Sequence, residues 1–374
     1  MPLLGLKSLI LRSRDWEGEP GGRESQKTCH DGVSWLFKDQ GNRVQSLNPS
    51  GFRDFFWIMP VKRSDKARSS NECQMTNSLL TTIFLIILMS FSPVPSHAAV
   101  FGDSLGRDVV LCSNPMRIVS LAPSITEMIY FLGLGDRLVG VTRFSYFPKE
   151  AQKKPKVGVY TNINVEKVIA LSPDLVVATV DGNMRGDVEM LEQAGIQVYV
   201  INPRTINQVL DTMERLGEIC GVPERAKTLV SDLRERVVRV LEAVKDKGRP
   251  RVLLLLNTRP LMSVNQNTIH HNIIQLAGGT NMTGDQPITY PKLNIEAVIK
   301  GKPDVIIISS MERGGQHEKA RMEWLEWPTL PAVQKGHVYL IDSDLIDRPA
   351  PRIVSGLEEM ARLIHPEIEG HERQ

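Results

Sequence analysis

One stretch restricts the folds open to this chain more than any other. "VPERAKTLVSDLRERVVRVLEAVKDKG", Val222 to Gly248, sets Ala226, Leu229, Val230, Leu233, Val237, Val240, Leu241 and Val244 at the spacing of one helical face. Pro223 opens it and Gly248 stands just past its end, the asymmetry expected of a helix with defined termini. At 1.5 Å per residue, ~24 residues give a helix of roughly 36 Å, enough to cross a domain. A flexible linker would lack those apolar positions. The segment 222–248 is therefore read as a connecting helix that packs against what lies on either side and couples the two stiffly.

What lies on either side is the same kind of chain. "RIVSLAPSITEMIYFLGLGDRLVGVT" reads strand, turn, helix, loop, strand. Ile118 to Leu121 is the first apolar strand, Ser124 and Glu127 have capping-box spacing at the helix start, and Gly133 and Gly135 end that helix. "YTNINVEKVIALSPDLVVA" gives a short helix and a strand; "DVEMLEQAGIQVYVI" gives a helix closed at Gly195 and another strand. Beyond the long helix come a strand, "RVLLLL", and a helix, "HHNIIQLA", ended by Gly278 and Gly279. Two further strands, "DVIIIS" and "HVYLID", precede a last helix, "RIVSGLEEMARLI". Such alternation makes βα units and parallel sheets. The expected fold is α/β: two Rossmann-like lobes with mainly parallel sheets, 99–221 and 249–374, bridged by one long α-helix.

The two lobes share a phrase. "NVEKVIALSPDLVVA" begins at Asn164 and "NIEAVIKGKPDVIII" at Asn294, about 130 residues later. A tyrosine stands six residues before each glutamate, Tyr160 before Glu166 and Tyr290 before Glu296. Two copies cannot make a solenoid, so they mark two lobes built alike. Asn164 and Asn294 are placed to cap short helices. Val165, Val168 and Ile169, with Ile295, Val298 and Ile299, are expected to face inward, leaving Glu166 and Glu296 exposed in the first turn. The helix dipole alone favours a glutamate there, by about 0.3–1 kcal/mol. Two matched copies, each preceded by a loop tyrosine, point beyond that to a shared role. Loops that face each other across a cleft make a natural ligand site.

The first 98 residues differ from the rest. They hold Trp16, Trp35, Trp57, Cys29 and Cys73 without periodicity, then the uncharged run "LLTTIFLIILMSF" from Leu79 to Phe91. That run is shorter than the ~18 residues a membrane span needs. Small residues at Ser96 and Ala98 follow it, and "VKRSDKAR", Val61 to Arg68, supplies a positive n-region. The expectation is a signal peptide over 75–98, cleaved near Ala98/Ala99, with 1–74 an upstream extension or leader and Met59 the favoured start. No lipobox follows the apolar run, since Cys112 lies too far downstream. The mature protein should be soluble and periplasmic, with Cys112 and Cys220 as its cysteines; the compartment permits a disulfide, but two buried free thiols are the favoured reading.

From about Leu105 to Pro366 the chain resembles the periplasmic substrate-binding proteins of cobalamin and ferric-siderophore ABC importers. The stretches that carry the resemblance are "RIVSLAPSITEMIYFLGLGDRLVGVT", "SYFPKEA", "KVGVYTNINVEKVIALSPDLVVA", "IIQLAGGTNM" and "DRPAPRIVSGLEEMARLIHPE". It implies two lobes on one helix that open and close little, with a glutamate of each lobe docking onto basic residues of a dimeric permease coupled to an ATPase. Those positions match Glu166 and Glu296. The cobalamin binders are most similar, through "SYFP", the two tyrosine-to-glutamate segments and "DSDLIDRPAPR". By position, Tyr146, Tyr160 and Tyr290 would line the cleft, with Asp344 and Arg348 on the opposite rim. Where cobalamin binders have tryptophan this chain has Tyr160 and Tyr290, which keep a flat face and add a hydroxyl. The implied ligand is a corrinoid, or alternatively a ferric siderophore or haem. It is carried unchanged by a monomer with no cofactor.

Other classes fit the sequence poorly. A net charge of +2 gives nucleic acid or an anionic membrane little to hold. The eight histidines are scattered, and the adjacent pair His270 and His271 point about 100° apart on a helix. No H-E-x-x-H, C-x-x-C, G-x-S-x-G or P-loop pattern occurs. "GLGDRLVG" follows a helix, not a strand, so it is no dinucleotide fingerprint. An exported enzyme built from scattered residues would differ from a binding protein by turning its ligand over.

Overall fold

The computed structural model describes residues 98–112, 114–309 and 316–370. The first of these segments is an antiparallel hairpin, β1 (Ala98–Gly102) against β2 (Asp108–Cys112). Its turn is closed by Asp103, which accepts bonds from Arg107 Nε and Nη2 at 2.9 and 2.7 Å. The readings for the upstream extension, and for the signal peptide before Ala98, lie outside the described residues.

In the N-terminal lobe β3 (Ile118–Ser120) leads through α1 (Pro123–Phe131) to β4 (Leu138–Val141). A small hairpin, β5 (Gly158–Val159) and β6 (Asn162–Ile163), precedes α2 (Val165–Ala170) and β7 (Leu175–Thr179). Then come α3 (Arg185–Gln193), β8 (Val198–Ile201) and α4 (Ile206–Ile219). The sheet is wholly parallel in the order β4-β3-β7-β8.

The bridging helix α5 runs Pro223–Val244. Beyond it lie β9 (Arg251–Leu255), β10 (Asn257–Thr258), β11 (Leu261–Met262), α6 (Ile269–Leu276) and β12 (Thr280–Asn281). After α7 (Ile295–Gly301), β13 (Val305–Ile308), α8 (Gln316–Leu325) and α9 (Pro331–Gln334) comes β14 (Val338–Leu340). Helices α10 (Ser343–Ile346) and α11 (Ile353–Ile364) follow. The second sheet, β12-β9-β13-β14, is also parallel and repeats the order of the first.

Both sheets are covered on two faces, which is why their strands read as continuous apolar runs. Successive residues alternate between cores: Leu175 and Val177 face one way in β7, Val176 and Ala178 the other. The inner faces of both sheets meet on α5, so Ile118 and Val177, then Val230 and Val237, then Leu254 and Ile307 belong to one continuous core. Each outer face has its own smaller core.

Polar bonds fix α5 to both sides. Arg234 donates to Asp211 of α4 at 2.7 Å, while Arg236 holds Glu358 of α11 through Nε and Nη2 at 2.8 and 2.6 Å. Gly217 of α4 leaves room for Ala226, whose Cβ a side chain there would overlap. The expected stripe needs one correction: Leu241 is exposed and Leu229 only partly covered, so the buried set is Ala226, Val230, Leu233, Val237, Val240 and Val244.

Two smaller expectations also change. Helix α1 is capped at Ala122 without a side-chain bond, Ser124 is buried, and Glu127 reaches across to the other lobe instead of back to its own backbone. Cys220 is a buried free thiol, pushed up to about 12 by loss of water around it, and so inert as a nucleophile. The side chain of Cys112 lies outside the described residues. Among the described residues no helix is long and apolar enough to cross a membrane.

Candidate functional site

The repeated phrase is a repeated piece of structure. Each copy forms the short helix that enters a central strand, α2 before β7 and α7 before β13. Asn164 accepts from Lys167 N at 2.7 Å and Asn294 from Ala297 N at 2.9 Å, equivalent N-caps. Each helix is followed by a non-glycine residue in the left-handed region, Ser172 at φ 44° and Lys302 at φ 46°, just before the proline. The aspartates after those prolines tie down the neighbouring strand. Asp174 accepts from Met116 N and Arg117 N, both at 2.8 Å, and Asp304 accepts from Arg251 N at 3.0 Å. The Pro-Asp pair thus sets strand entry, and the glutamates are left for another task.

Glu166 and Glu296 are both exposed. Val165 and Val168 are buried as expected, and so is Val298, whereas Ile295 is half-buried. Ile169 and Ile299 depart from the expectation. They are 41% and 36% exposed, because helices of one and a half to two turns cover only one side of themselves. Each isoleucine lies three residues after its glutamate, hence on the same side. Both lobes therefore offer an acid next to a bare apolar side chain.

The five residues expected at the cleft fall into two groups. Tyr146, from the loop after β4, donates to Asp344 of α10 at 2.6 and 2.9 Å, joining the lobes directly. Arg348 stacks over the Tyr146 ring at 4.4 Å from its centre and donates to the Tyr146 hydroxyl. It also pairs with Asp344 at 3.2 Å. Tyr160 and Tyr290 form the other group, with Asp181 and Arg204, which are paired at 2.5 and 2.8 Å. Burial, then the Asp181 carboxylate, raises the Tyr160 hydroxyl. The same two causes, in that order, push Tyr290 up to about 12. Tyr160 is locked in place: Asn183 Nδ2 donates to its carbonyl at 2.6 Å, and any side chain at Gly182, at φ +111°, would overlap its ring.

Sequence reasoning missed the residues that brace the first group. Glu127, with a side chain only 2% exposed, accepts from Arg352 Nε and Nη2, both at 2.8 Å, and from Arg348 Nη1 at 3.1 Å. The Arg352 guanidinium lies 4.0 Å over the Phe147 ring, and Glu127 raises its pKa. Asp347 carries a second brace, accepting from Ser309 Oγ at 3.3 Å and meeting buried His270 Nε2 at 2.9 Å. The available signal was an acid inside an apolar helix, "ITEMIYF", and two arginines four residues apart in "DRPAPR". Among the described residues no group of three metal-ligating side chains gathers. A depression of about 380 Å³ lined by Leu241, Lys245, Arg249 and Gln275 lies at the end of α5 and includes none of these residues.

Two similar α/β lobes on one helix, with aromatic and charged side chains meeting between them, define a bilobed solute-binding protein. The chain belongs to the periplasmic binding protein family, which matches residues 118–345. It is 31% identical over 255 residues to a vitamin B12-binding protein of Photorhabdus laumondii, covering 68% of this chain and 90% of that one. It is 34% identical to an uncharacterized ABC transporter substrate-binding lipoprotein of Bacillus subtilis, covering 71% and 85%. The crystal structure of the periplasmic vitamin B12-binding protein BtuF of Vibrio cholerae superposes with a TM-score of 0.62 at 30% identity, covering 67% of this chain and 97% of that one. A periplasmic haem-binding protein from Pseudomonas aeruginosa gives 0.59 at 27% identity, covering 67% and 93%.

Proposed function

We propose that this protein is exported to the periplasm, with a mature N-terminus near Ala99, and delivers a corrinoid to a dimeric ABC permease and its ATPase. The observation that carries the ligand reading is the meeting of Tyr146 with Asp344 and Arg348 across the lobes, in a chain related to vitamin B12-binding proteins. Tyr160 and Tyr290 would add flat faces for a large planar ligand. Haem is the second reading, favoured by the haem-binding neighbour and by the two tyrosines. The corrinoid reading is preferred on relatedness, since burial and Asp181 raise the Tyr160 and Tyr290 hydroxyls only as long as no ferric ion lies beside them. Calorimetric titration with cobalamin, cobinamide, haem and a ferric siderophore should show tight, one-to-one binding of cobalamin. Tight siderophore or haem binding with no corrinoid binding would reverse the two readings.

Glu166 and Glu296, carried on equivalent helices, serve as the docking acids in this reading, and the bare isoleucines beside them give each contact an apolar part. The two parts differ in salt dependence, since screening weakens exposed charges and leaves apolar burial intact. Changing Ile169→Asn together with Ile299→Asn should weaken permease binding about ten-fold, with little change between low and high salt. A loss that disappears at high salt would mean that the isoleucines act only through their glutamates.

A further inference from the structure

Resting on the cleft reading above, we propose that Arg348 is an exchangeable arginine and Arg352 a fixed one. Both share the Glu127 carboxylate, and a ligand's oxygen acceptor draws Arg348 away while Arg352 stays behind as counter-charge.

The geometry separates the two arginines. Arg352 makes a complete fork, Nε to Oε2 and Nη2 to Oε1, both at 2.8 Å, and its guanidinium also rests on the Phe147 ring. Arg348 makes one longer bond, 3.1 Å, to an oxygen that Arg352 already holds. Its other contacts are to Tyr146 and Asp344, the residues that the cleft reading gives to the ligand. The weaker hold on Glu127 is therefore that of the arginine nearer the ligand.

Burial explains why two arginines are needed. A carboxylate as enclosed as Glu127 cannot be left without a partner except at heavy cost. With Arg348 alone, a ligand could recruit the guanidinium only by stripping Glu127. With Arg352 present, every group keeps a partner when Arg348 moves: Glu127 retains Arg352, and Asp344 retains the Tyr146 hydroxyl. The acceptor can be an amide carbonyl, a carboxylate or a phosphate oxygen, and corrinoids and haem both carry such groups. Arg352 and Glu127 are thus positioning residues that act on the ligand through Arg348.

A thermodynamic cycle on the full exported protein tests this, with cobalamin and haem as calorimetric probes. Arg348→Met should lower affinity for the bound probe about ten-fold or more. Arg352→Met should lower it by a similar factor, although Arg352 touches no ligand, because Arg348 must then remain on Glu127. The triple variant Arg348→Met, Arg352→Met, Glu127→Gln, which leaves no buried charge unpaired, should bind no worse than Arg348→Met alone. Adding Glu127→Gln to Arg352→Met should restore affinity, since no buried charge then detains Arg348, and Arg352→Lys should restore it in part. These last two readouts separate positioning from simple loss of folding. Unchanged affinity in Arg352→Met, additive losses in the triple variant, or no rescue by Glu127→Gln would each overturn the proposal. Unchanged affinity in Arg348→Met would overturn the cleft reading with it.

Discussion

Reversing both proposed docking acids, Glu166→Lys with Glu296→Lys, should abolish uptake while leaving the soluble affinity for ligand within about two-fold. Both side chains are exposed in the first turns of short helices, so the core should not respond, and the docking reading keeps them out of the cleft. On the docking reading, each substitution replaces an attraction at the permease by a repulsion. Juxtaposed like charges cost several kcal/mol, and even ~1.5 kcal/mol at each of two contacts multiplies to about a hundred-fold in docking. A single reversal should give a partial defect of about ten-fold, of equal size in either lobe, and wild-type docking should weaken as salt rises. Uptake by whole cells, paired with calorimetry on the purified variants, checks both halves. Loss of ligand binding in the double variant would place the repeat in the ligand site and end the docking argument.

The second large effect is expected at Gly356, the position where α11 crosses α10. A Cβ there would overlap the Leu345 carbonyl oxygen, and would lie 2.9 Å from Ile346 Cγ2 and 3.0 Å from the Leu345 carbonyl carbon. Backbone cannot rotate out of the way as a side-chain tip can, so α10 must move. Overpacking of this kind costs about 1–3 kcal/mol, which for a lobe this size lowers Tm by several degrees. The shift also carries Asp344, which lies on α10, and Arg348, which follows it. Gly356→Ala should therefore lose ligand affinity about ten-fold as well as stability. Gly186 is the control: it is helical, with nothing within 4 Å of its added Cβ, so Gly186→Ala should leave both unchanged or slightly improved. Thermal unfolding and titration of the two variants side by side measure the difference.

Much of this architecture was legible from the chain because its signals are local and repeated. The stripe on α5, the glycines after α1 and α6, and the strand alternation each follow from neighbours in sequence. So does the capping of Asn164 and Asn294. What escaped was set by contacts far apart in the chain. Glu127 and Arg352 are 225 residues apart, and nothing near Glu127 says that its partner is not its own backbone. Ile169 and Ile299 looked like core because their spacing from Val165 and Ile295 is helical. Whether a short helix has a neighbour on that side is a tertiary fact. The same holds for Asp181 and Arg204, whose closeness to Tyr160 and Tyr290 depends on how the lobes meet.

The duplicated helices have a further consequence. A chain with approximate two-fold symmetry that sits on a partner with true two-fold symmetry has two landing poses, related by a half-turn. Their degeneracy is worth at most about 0.4 kcal/mol of entropy. It is not perfect, because Lys167 follows Glu166 where Ala297 follows Glu296, and Lys300 stands where the first copy has Ala170. Each of the two helices so carries one lysine, about one helical turn apart in placement. A population split between the two orientations would then be written into the chain itself, and exchanging those lysines between the lobes would invert its bias.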